Sequence, residues 1–192
     1  MSNIWVISDT HFNHEAILTF KDYAGKPPRN GFIDADHMNE MMLDNWASVV
    51  QPNDTVIHCG DVLFGHNKVE WLEANFAKLP GKKRLVLGNH DNVKFLAPFF
   101  KDVQMWIDMS DKGLLFSHTP QHASTLAESH RFGDKPILNV HGHIHSNPSP
   151  EGPYKCVCVE QINYTPITVS YTHLRAHETR EDLVWRLVLE KK

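Results

Sequence analysis

Five short polar clusters in the sequence carry the residue types that bind divalent metal ions. Carboxylate, imidazole and amide oxygen ligands together suit Mn²⁺, Fe, Co²⁺ or Zn²⁺ rather than a metal held by soft thiolates. Any one of these clusters occurs by chance, because a lone Gly-Asp pair, for example, is usually a turn. All five in one chain predict a metal site. In chain order they are Asp9-x-His11, Gly60-Asp61, Gly88-Asn89-His90-Asp91, His118 and Gly142-His143-x-His145.

Each cluster follows a segment whose pattern predicts a β-strand, namely 4–7, 55–59, 84–87, 114–117 and 137–140. These segments are short apolar runs bounded by turn residues. Ligands of α/β sheets bind beyond the carboxyl ends of the strands, so the five clusters can converge on one point. Gly60, Gly88 and Gly142 permit backbone angles that a side chain would obstruct.

The remaining pattern predicts the elements between these strands. Apolar residues at helical spacing over 35–50, behind an N-cap at Asp34, indicate an amphipathic helix. Asn67 and Glu70 resemble a capping box for a second helix. The alternation of strands and helices predicts an α/β layered domain with a mixed sheet. Further predicted elements are a helix within 93–100, a hairpin of 103–109 with 114–117, a helix over 123–131 and strands at 154–159 and 167–169.

Composition limits the classes of protein that fit. The chain has 192 residues, 41% of them apolar, which is enough for one domain with its own core. A net charge of −4 argues against a protein that grips long nucleic acid by charge alone. No apolar run approaches the ~18 residues of a membrane span, and no leader pattern precedes Ile4, so we expect a cytoplasmic protein. Cys156 and Cys158 alternate in a predicted strand, so both would face the same side, and we expect them to be small apolar residues in a reduced protein.

The five clusters, taken in order, resemble the metallophosphoesterase family, also called calcineurin-like phosphoesterases. That family's signature runs DxH, GD, GNH[DE], H and GHxH, and every part stands here. The resemblance covers residues 3–169 and is greatest to small bacterial and phage-type members, through the runs Ser8–Ile17 and Asn45–Asp61. It implies a four-layer α-β-β-α sandwich with a dinuclear metal site at the carboxyl ends of the strands.

The resemblance also implies a role for each residue of the clusters. Asp61 would bridge the two metals, and His90 would face the substrate as an imidazolium oriented by Asp91. The first metal would be held by Asp9, His11 and His145, and the second by Asn89, His118 and His143. The metals would be two divalent ions, with Mn expected first and Fe, Zn, Co and Ni as alternatives.

The implied activity is hydrolysis of a small phosphate ester, most simply a diester, by in-line attack of a hydroxide held between the two metals. A phosphomonoesterase and a nucleotide pyrophosphohydrolase are variants of the same chemistry. A nuclease would want a basic groove lined by aromatic residues, and the sequence shows no such cluster. An interaction module on the same fold is the alternative of another class. Such a module should have lost metal ligands or His90, whereas all are present here.

The chain changes character after Val169. Residues 170–192 resemble translated sequencing-adapter read-through, most clearly across Tyr171–Thr179. We therefore divide the chain into a metallophosphoesterase domain over 1–169 and a tail over 170–192 that is expected to be non-native and without catalytic meaning. The alternative is a genuine amphipathic helix at the end of the chain.

Overall fold

The computed structural model describes residues 2–21, 23–65, 68–126 and 137–170. The tail beyond Ser170, the capping residue Asn67 and most of the predicted helix over 123–131 lie outside these ranges. The strands are β1 (Ile4–Ile7), β2 (Thr55–His58), β3 (Lys82–Val86), β4 (Asp102–Gln104), β5 (Trp106–Met109), β6 (Leu114–Ser117), β7 (Leu138–His141), β8 (Tyr154–Cys156) and β9 (Ile167–Thr168). The helices are α1 (Ala35–Val49), α2 (Lys68–Ala74), α3 (Val93–Leu96) and α4 (Ala123–Leu126), with short 3₁₀ helices at Glu15–Thr19, Phe76–Lys78, Ala97–Phe99, Ser110–Lys112 and Val159–Gln161.

The strands form two sheets rather than one. The first has the order β4-β3-β2-β1-β9, with β1 to β4 parallel and β9 antiparallel to β1. The second has the order β5-β6-β7-β8, with β6, β7 and β8 parallel and β5 antiparallel to β6. The sequence pattern alone predicted a mixed sheet but not its division, whereas the family resemblance implied the sandwich that is found.

Two apolar clusters hold the layers together. One packs α1, through Met38, Met42 and Trp46, against the outer face of the first sheet. The other fills the space between the sheets, where Val6 and Ile57 of the first meet side chains such as Phe116 of the second. The connection from β6 to β7 contains α4, whose Leu126 is buried. The two sheets are thus flanked by helices.

Strand register brings the polar clusters to one edge of the sandwich. Ile7 is paired with His58, and His58 with Leu85, so β1, β2 and β3 finish at nearly the same level. In the second sheet Ser117 is paired with His141. An isolated bridge between Ser8 and Cys158 joins the two sheets at this edge. The loops that follow these five strands therefore start at nearly the same level along one edge of the sandwich.

The predicted strand over 103–109 is divided between the two sheets. Residues Asp102–Gln104 form β4 at the edge of the first sheet, and Trp106–Met109 form β5 at the edge of the second. The chain crosses at Met105, which is exposed. The hairpin of β5 with β6 is confirmed, and Gly113 in its turn has the left-handed φ of 68°. The predicted cap of α1 is also confirmed, because the Asp34 side chain accepts the backbone N–H of His37.

Candidate metal centre

The seven predicted metal ligands lie together at the shared edge of the two sheets. Asp9 and His11 follow β1, Asp61 follows β2 and Asn89 follows β3. The histidines of the second sheet come from the ends of two strands, with His118 after β6, and His143 and His145 after β7. The first sheet thus supplies both carboxylates and the amide, and the second supplies three of the four imidazoles.

The first group of donor atoms consists of one oxygen of Asp9 and the Nε2 atoms of His11 and His145. These atoms lie within 4.8 Å of one another. The Asp9 Oδ1 atom is 3.9 Å from each of the two imidazole nitrogens. Such distances are too long for hydrogen bonds but suit ligands arranged around one ion about 2 Å from each.

The second group of donor atoms is tighter. The Asn89 Oδ1 atom lies 2.8 Å from His118 Nε2 and 3.0 Å from His143 Nδ1. His118 Nδ1 is 2.9 Å from the carbonyl of Cys59 and donates to it, so the lone pair of the neutral ring is on Nε2. The Nε2 lone pair and the Asn89 oxygen are then two acceptors that face each other, an arrangement that a cation would relieve.

Asp61 stands between the two groups. Its Oδ2 atom is 3.5 Å from His11 Nε2, in the first group, and 3.5 Å from His118 Nε2, in the second. Its Oδ1 atom accepts the backbone N–H of His90 at 2.9 Å. One oxygen of Asp61 is therefore held by the protein, while the other is directed at both groups.

Unpartnered buried atoms support a metal at this place. Within the described chain, Asp9 Oδ1 and His11 Nε2 are buried and have no hydrogen-bond partner. Burial raises the pKa of Asp9, and the nearby Asp61 adds to this shift, whereas His118, His145 and Ser8 oppose it. Burial also lowers the pKa of His11, so its ring is neutral and offers a lone pair. Buried polar atoms normally find partners, and a divalent cation fits these.

The backbone at the site is held in an uncommon conformation. Left-handed φ angles occur at Asp9 (57°), His11 (45°), Asp61 (57°), His143 (71°) and His145 (51°). Such angles cost roughly 1–3 kcal/mol for a residue with a side chain and persist only where the surroundings enforce them. They turn alternate side chains of each Asp-x-His or His-x-His pair toward the same small volume.

Two glycines are required because atoms of the site occupy the space of a side chain. A Cβ atom on Gly88 would lie 2.2 Å from Asp61 Oδ1, and one on Gly142 would lie 2.2 Å from Asp9 Oδ2. Neither carboxylate can retreat without leaving its donor group. The GNH and GHxH motifs therefore contain glycine for lack of space rather than for flexibility.

Asp91 does not have the position that the resemblance implied. Its carboxylate accepts the backbone N–H groups of Asp61, Val62 and Gly88, each at 2.9 Å. Within the described part of the chain, none of its hydrogen bonds reaches the His90 ring. That ring is exposed and lies 5.7 Å from the ring of His11, between centroids. Asp91 therefore fixes the loop of Asp61, and its predicted contact with the His90 ring is wrong.

Substitution of Asp91 by alanine should destabilise the protein by about 2–4 kcal/mol. The change leaves three backbone N–H groups without their acceptor, and an unsatisfied buried group costs about 1–3 kcal/mol. Urea unfolding of the variant and the wild type measures the difference. Asp111→Ala, which removes an exposed carboxylate, is the control. A loss below about 1 kcal/mol, near the effect of an ordinary surface substitution, would contradict this role for Asp91.

His58 is a buried neutral histidine beside the site. Its Nδ1 accepts the N–H of Gly60, and its Nε2 is 3.0 Å from the Thr10 hydroxyl, which itself donates to the carbonyl of Val62. The ring must therefore carry its proton on Nε2. Burial, with a smaller contribution from His118, lowers the pKa of His58 to about 3.

This lowered pKa predicts a loss of stability in acid. Between the unfolded value of 6.5 and about 3, the unfolded chain binds a proton that folded His58 does not. Its contribution is complete above pH 6.5 and falls by about 1.4 kcal/mol per pH unit below it. Urea unfolding at several pH values should give a shallower pH slope for His58→Gln than for the wild type. Equal slopes would show that the ring titrates normally.

The sequence pattern did not predict the contacts of three residues around the site. Arg29 is buried, although it lies in a loop rich in proline and glycine, and it forms an ion pair with Glu160 at 2.8 Å. Cys158 places its thiol 3.2 Å from Asp9 Oδ2. Both contacts join residues more than 100 positions apart, so no local pattern predicts them. Cys156 and Cys158, expected to behave as small apolar residues, are free and buried.

Comparison with known proteins agrees with this geometry. Residues 2–190 match the sequence profile of the calcineurin-like phosphoesterases. The chain is 30% identical over 176 residues to the uncharacterized protein MJ1445 of Methanocaldococcus jannaschii, covering 88% of each. It is 28% identical over 177 residues to the Gene 66 protein of Mycobacterium phage D29, covering 76% of this chain and 80% of that one. A crystal structure of the Aquifex aeolicus protein of unknown function AQ665 has a TM-score of 0.66 and 29% identity, covering 88% of this chain and 96% of that one.

The chain belongs to the calcineurin-like phosphoesterase family. Members of this family are metal-dependent phosphoesterases. Two groups of side chains in this chain could hold a divalent metal ion, namely Asp9 with His11 and His145, and Asp9 with Asp61 and His118. Among the described residues, no helix is both long and apolar enough to cross a membrane.

Proposed function

We propose that this protein is a phosphodiesterase that uses two divalent metal ions to hydrolyse a small phosphate ester. Mn²⁺ is the ion we propose first, because the donors are oxygens and imidazole nitrogens without a thiolate. The observation that carries the proposal is the position of Asp61. One of its oxygens is equidistant, at 3.5 Å, from a nitrogen of each donor group, as expected of a carboxylate shared by two ions.

The residues divide into two sets around this carboxylate. Asp9, His11 and His145 would hold one ion, and Asn89, His118 and His143 the other. When bound, such a pair of ions lowers the pKa of water from 15.7 to about 7 and acts as a Lewis acid toward phosphoryl oxygens. Only Asp9 and Asp61 bring negative charge, so the loaded site keeps a net positive charge that suits an anionic phosphate.

His90 is proposed as the residue that handles the proton of the leaving group. Its ring is exposed and lies beside His11, while its backbone is tied to Asp61. From this place the ring can hydrogen-bond to a substrate bound over the site and protonate the departing oxygen. Because Asp91 is occupied with backbone groups, the negative charge that favours imidazolium would come from the bound phosphate itself.

A small substrate is proposed over a nucleic acid polymer. The guanidinium of Arg29 at the site is buried and already bonded to Glu160 and to backbone carbonyls, so it offers nothing to a polyanion. The net charge of −4 likewise gives no general attraction to nucleic acid. We propose the cytoplasm as the compartment, where the three free cysteines would stay reduced.

Hydrolysis of model esters by the reloaded enzyme tests the proposal. The protein is stripped with chelator, restored with Mn²⁺ and assayed on bis-p-nitrophenyl phosphate and p-nitrophenyl phosphate, with Asp61→Asn as the control. Metal-dependent cleavage of the diester is the expected result. Faster cleavage of the monoester would make the protein a phosphatase, and cleavage of a nucleotide pyrophosphate alone would make it a pyrophosphohydrolase. Metal binding without turnover of any of these would favour the interaction module.

A further inference from the structure

A buried carboxylate outside the family motifs contacts one of the metal-binding histidines. The Glu160 side chain is 1% exposed. Its Oε1 atom accepts from His145 Nδ1 at 2.9 Å and from Arg29 Nε at 2.8 Å. The guanidinium of Arg29 keeps its positive charge in proteins, and it pairs with Glu160 at 2.8 Å where both side chains are buried. The group next to His145 is therefore a carboxylate anion.

Arg29 connects this carboxylate to the opposite side of the first donor group. The Arg29 side chain is fully buried, and its Nη1 atom donates to the carbonyl of Thr10 at 2.8 Å. Its Nη2 atom donates to the carbonyl of Asp9. These carbonyls belong to the left-handed turn after β1 that carries Asp9 and His11. One ion pair thus connects the loop of β1 with the loop of β7.

We propose that Glu160, held by Arg29, is a positioning residue for the first metal and sets the orientation and tautomer of His145. Because a carboxylate only accepts, His145 must carry its proton on Nδ1. The Nε2 lone pair then points toward Asp9 Oδ1, 3.9 Å away. A carboxylate bonded to the far nitrogen of a metal-binding histidine fixes the ring and makes the ligand atom more basic. This inference rests on the proposed two-metal site.

The test reads the His145 ring directly and then the metal affinity. Nitrogen-15 NMR of the metal-free protein, at a pH where the ring is neutral, gives the tautomer. Calorimetry gives the stepwise Mn²⁺ affinities. Glu160→Gln keeps an acceptor for both donors but loses the charge, and one binding step should weaken by about tenfold while the other stays unchanged.

A double variant tests the proposal in case Glu160→Gln does not fold. Arg29→Met with Glu160→Leu removes both charges together, which proteins tolerate better than one buried charge left alone. His145 should lose its fixed tautomer in this variant, and the same binding step should weaken by up to about 100-fold. Asp102→Asn is the control, because it breaks the ion pair of Asp102 with Arg84 on β3 and β4, outside the donor groups.

Each outcome has one meaning. An unchanged tautomer and unchanged affinities in both Glu160 variants would overturn the inference, and so would an equal weakening of both binding steps, which indicates general damage to the fold. Failure of the wild type to bind Mn²⁺ would instead count against the proposed function. In that case the ring measurement on metal-free protein still decides the role of Glu160.

Discussion

Replacement of Asp61 by asparagine should abolish the metal-dependent activity by weakening both metal sites together. In the native side chain, Oδ1 accepts the N–H of His90, and Oδ2 is directed at His11 and His118. The asparagine side chain has only one oxygen, so it cannot both accept the N–H of His90 and offer an oxygen toward His11 and His118. With its NH₂ toward the histidines it donates to the two lone pairs that a metal needs, and in the reverse orientation it opposes the N–H of His90.

The expected loss is at least about a thousandfold in turnover, since charge stabilisation by bound metals is worth several kcal/mol. Metal content after gel filtration and the rate on bis-p-nitrophenyl phosphate measure the two effects. Asp108→Asn, on the exposed face of β5, is the matched control. A variant that loses one metal but keeps the other, with a rate near that of the wild type, would show that Asp61 belongs to one site only.

Replacement of His90 should have the opposite signature, with full metal content and a large loss of rate. The His90 ring is exposed, and its atoms belong to neither donor group. Its link to Asp61 runs through the backbone N–H, which His90→Ala preserves. Loss of a general acid typically costs about 10²–10⁴-fold. The loss should grow as the leaving group becomes a poorer one, because a poor leaving group depends most on protonation.

A series of diesters with leaving groups from p-nitrophenol to an aliphatic alcohol makes this measurement. His37→Ala, which removes a half-buried histidine near the start of α1, is the control. Equal losses across the series would indicate that His90 binds the phosphate without moving a proton. Loss of metal in His90→Ala would indicate that the loop around Asp61 had been disturbed.

The sequence predicted that the polar clusters converge, because each cluster is a local motif. Each cluster lies directly after a short apolar strand, and parallel strands end at a common edge. The sequence pattern is therefore enough to place Asp9, Asp61 and His118 together. The N-cap at Asp34 is predictable for the same reason, since it depends on residues three positions apart.

The parts that could not be predicted depend on contacts between distant positions. Nothing in the run around Met105 indicates that the strand before it belongs to one sheet and the strand after it to another. The partner of Arg29 is 131 residues away, and its burial is visible only when both sheets are in place. The family resemblance places Asp91 beside the His90 ring, whereas its carboxylate accepts from three N–H groups that converge from two loops.

The proposed donor atoms come from both sheets, so metal binding would affect the stability of the fold as well as its activity. Asp9 and Asp61 extend from one sheet, and His118, His143 and His145 from the other. An ion bound by donors of both sheets would hold the two sheets together. A ligand that binds only the folded state adds about 2.7 kcal/mol of stability at 100 times its dissociation constant. Metal supply would then set how long each molecule survives proteolysis as well as how fast it works. Cells short of metal would contain less of the protein, because the metal-free form would be degraded rather than accumulate in an inactive state.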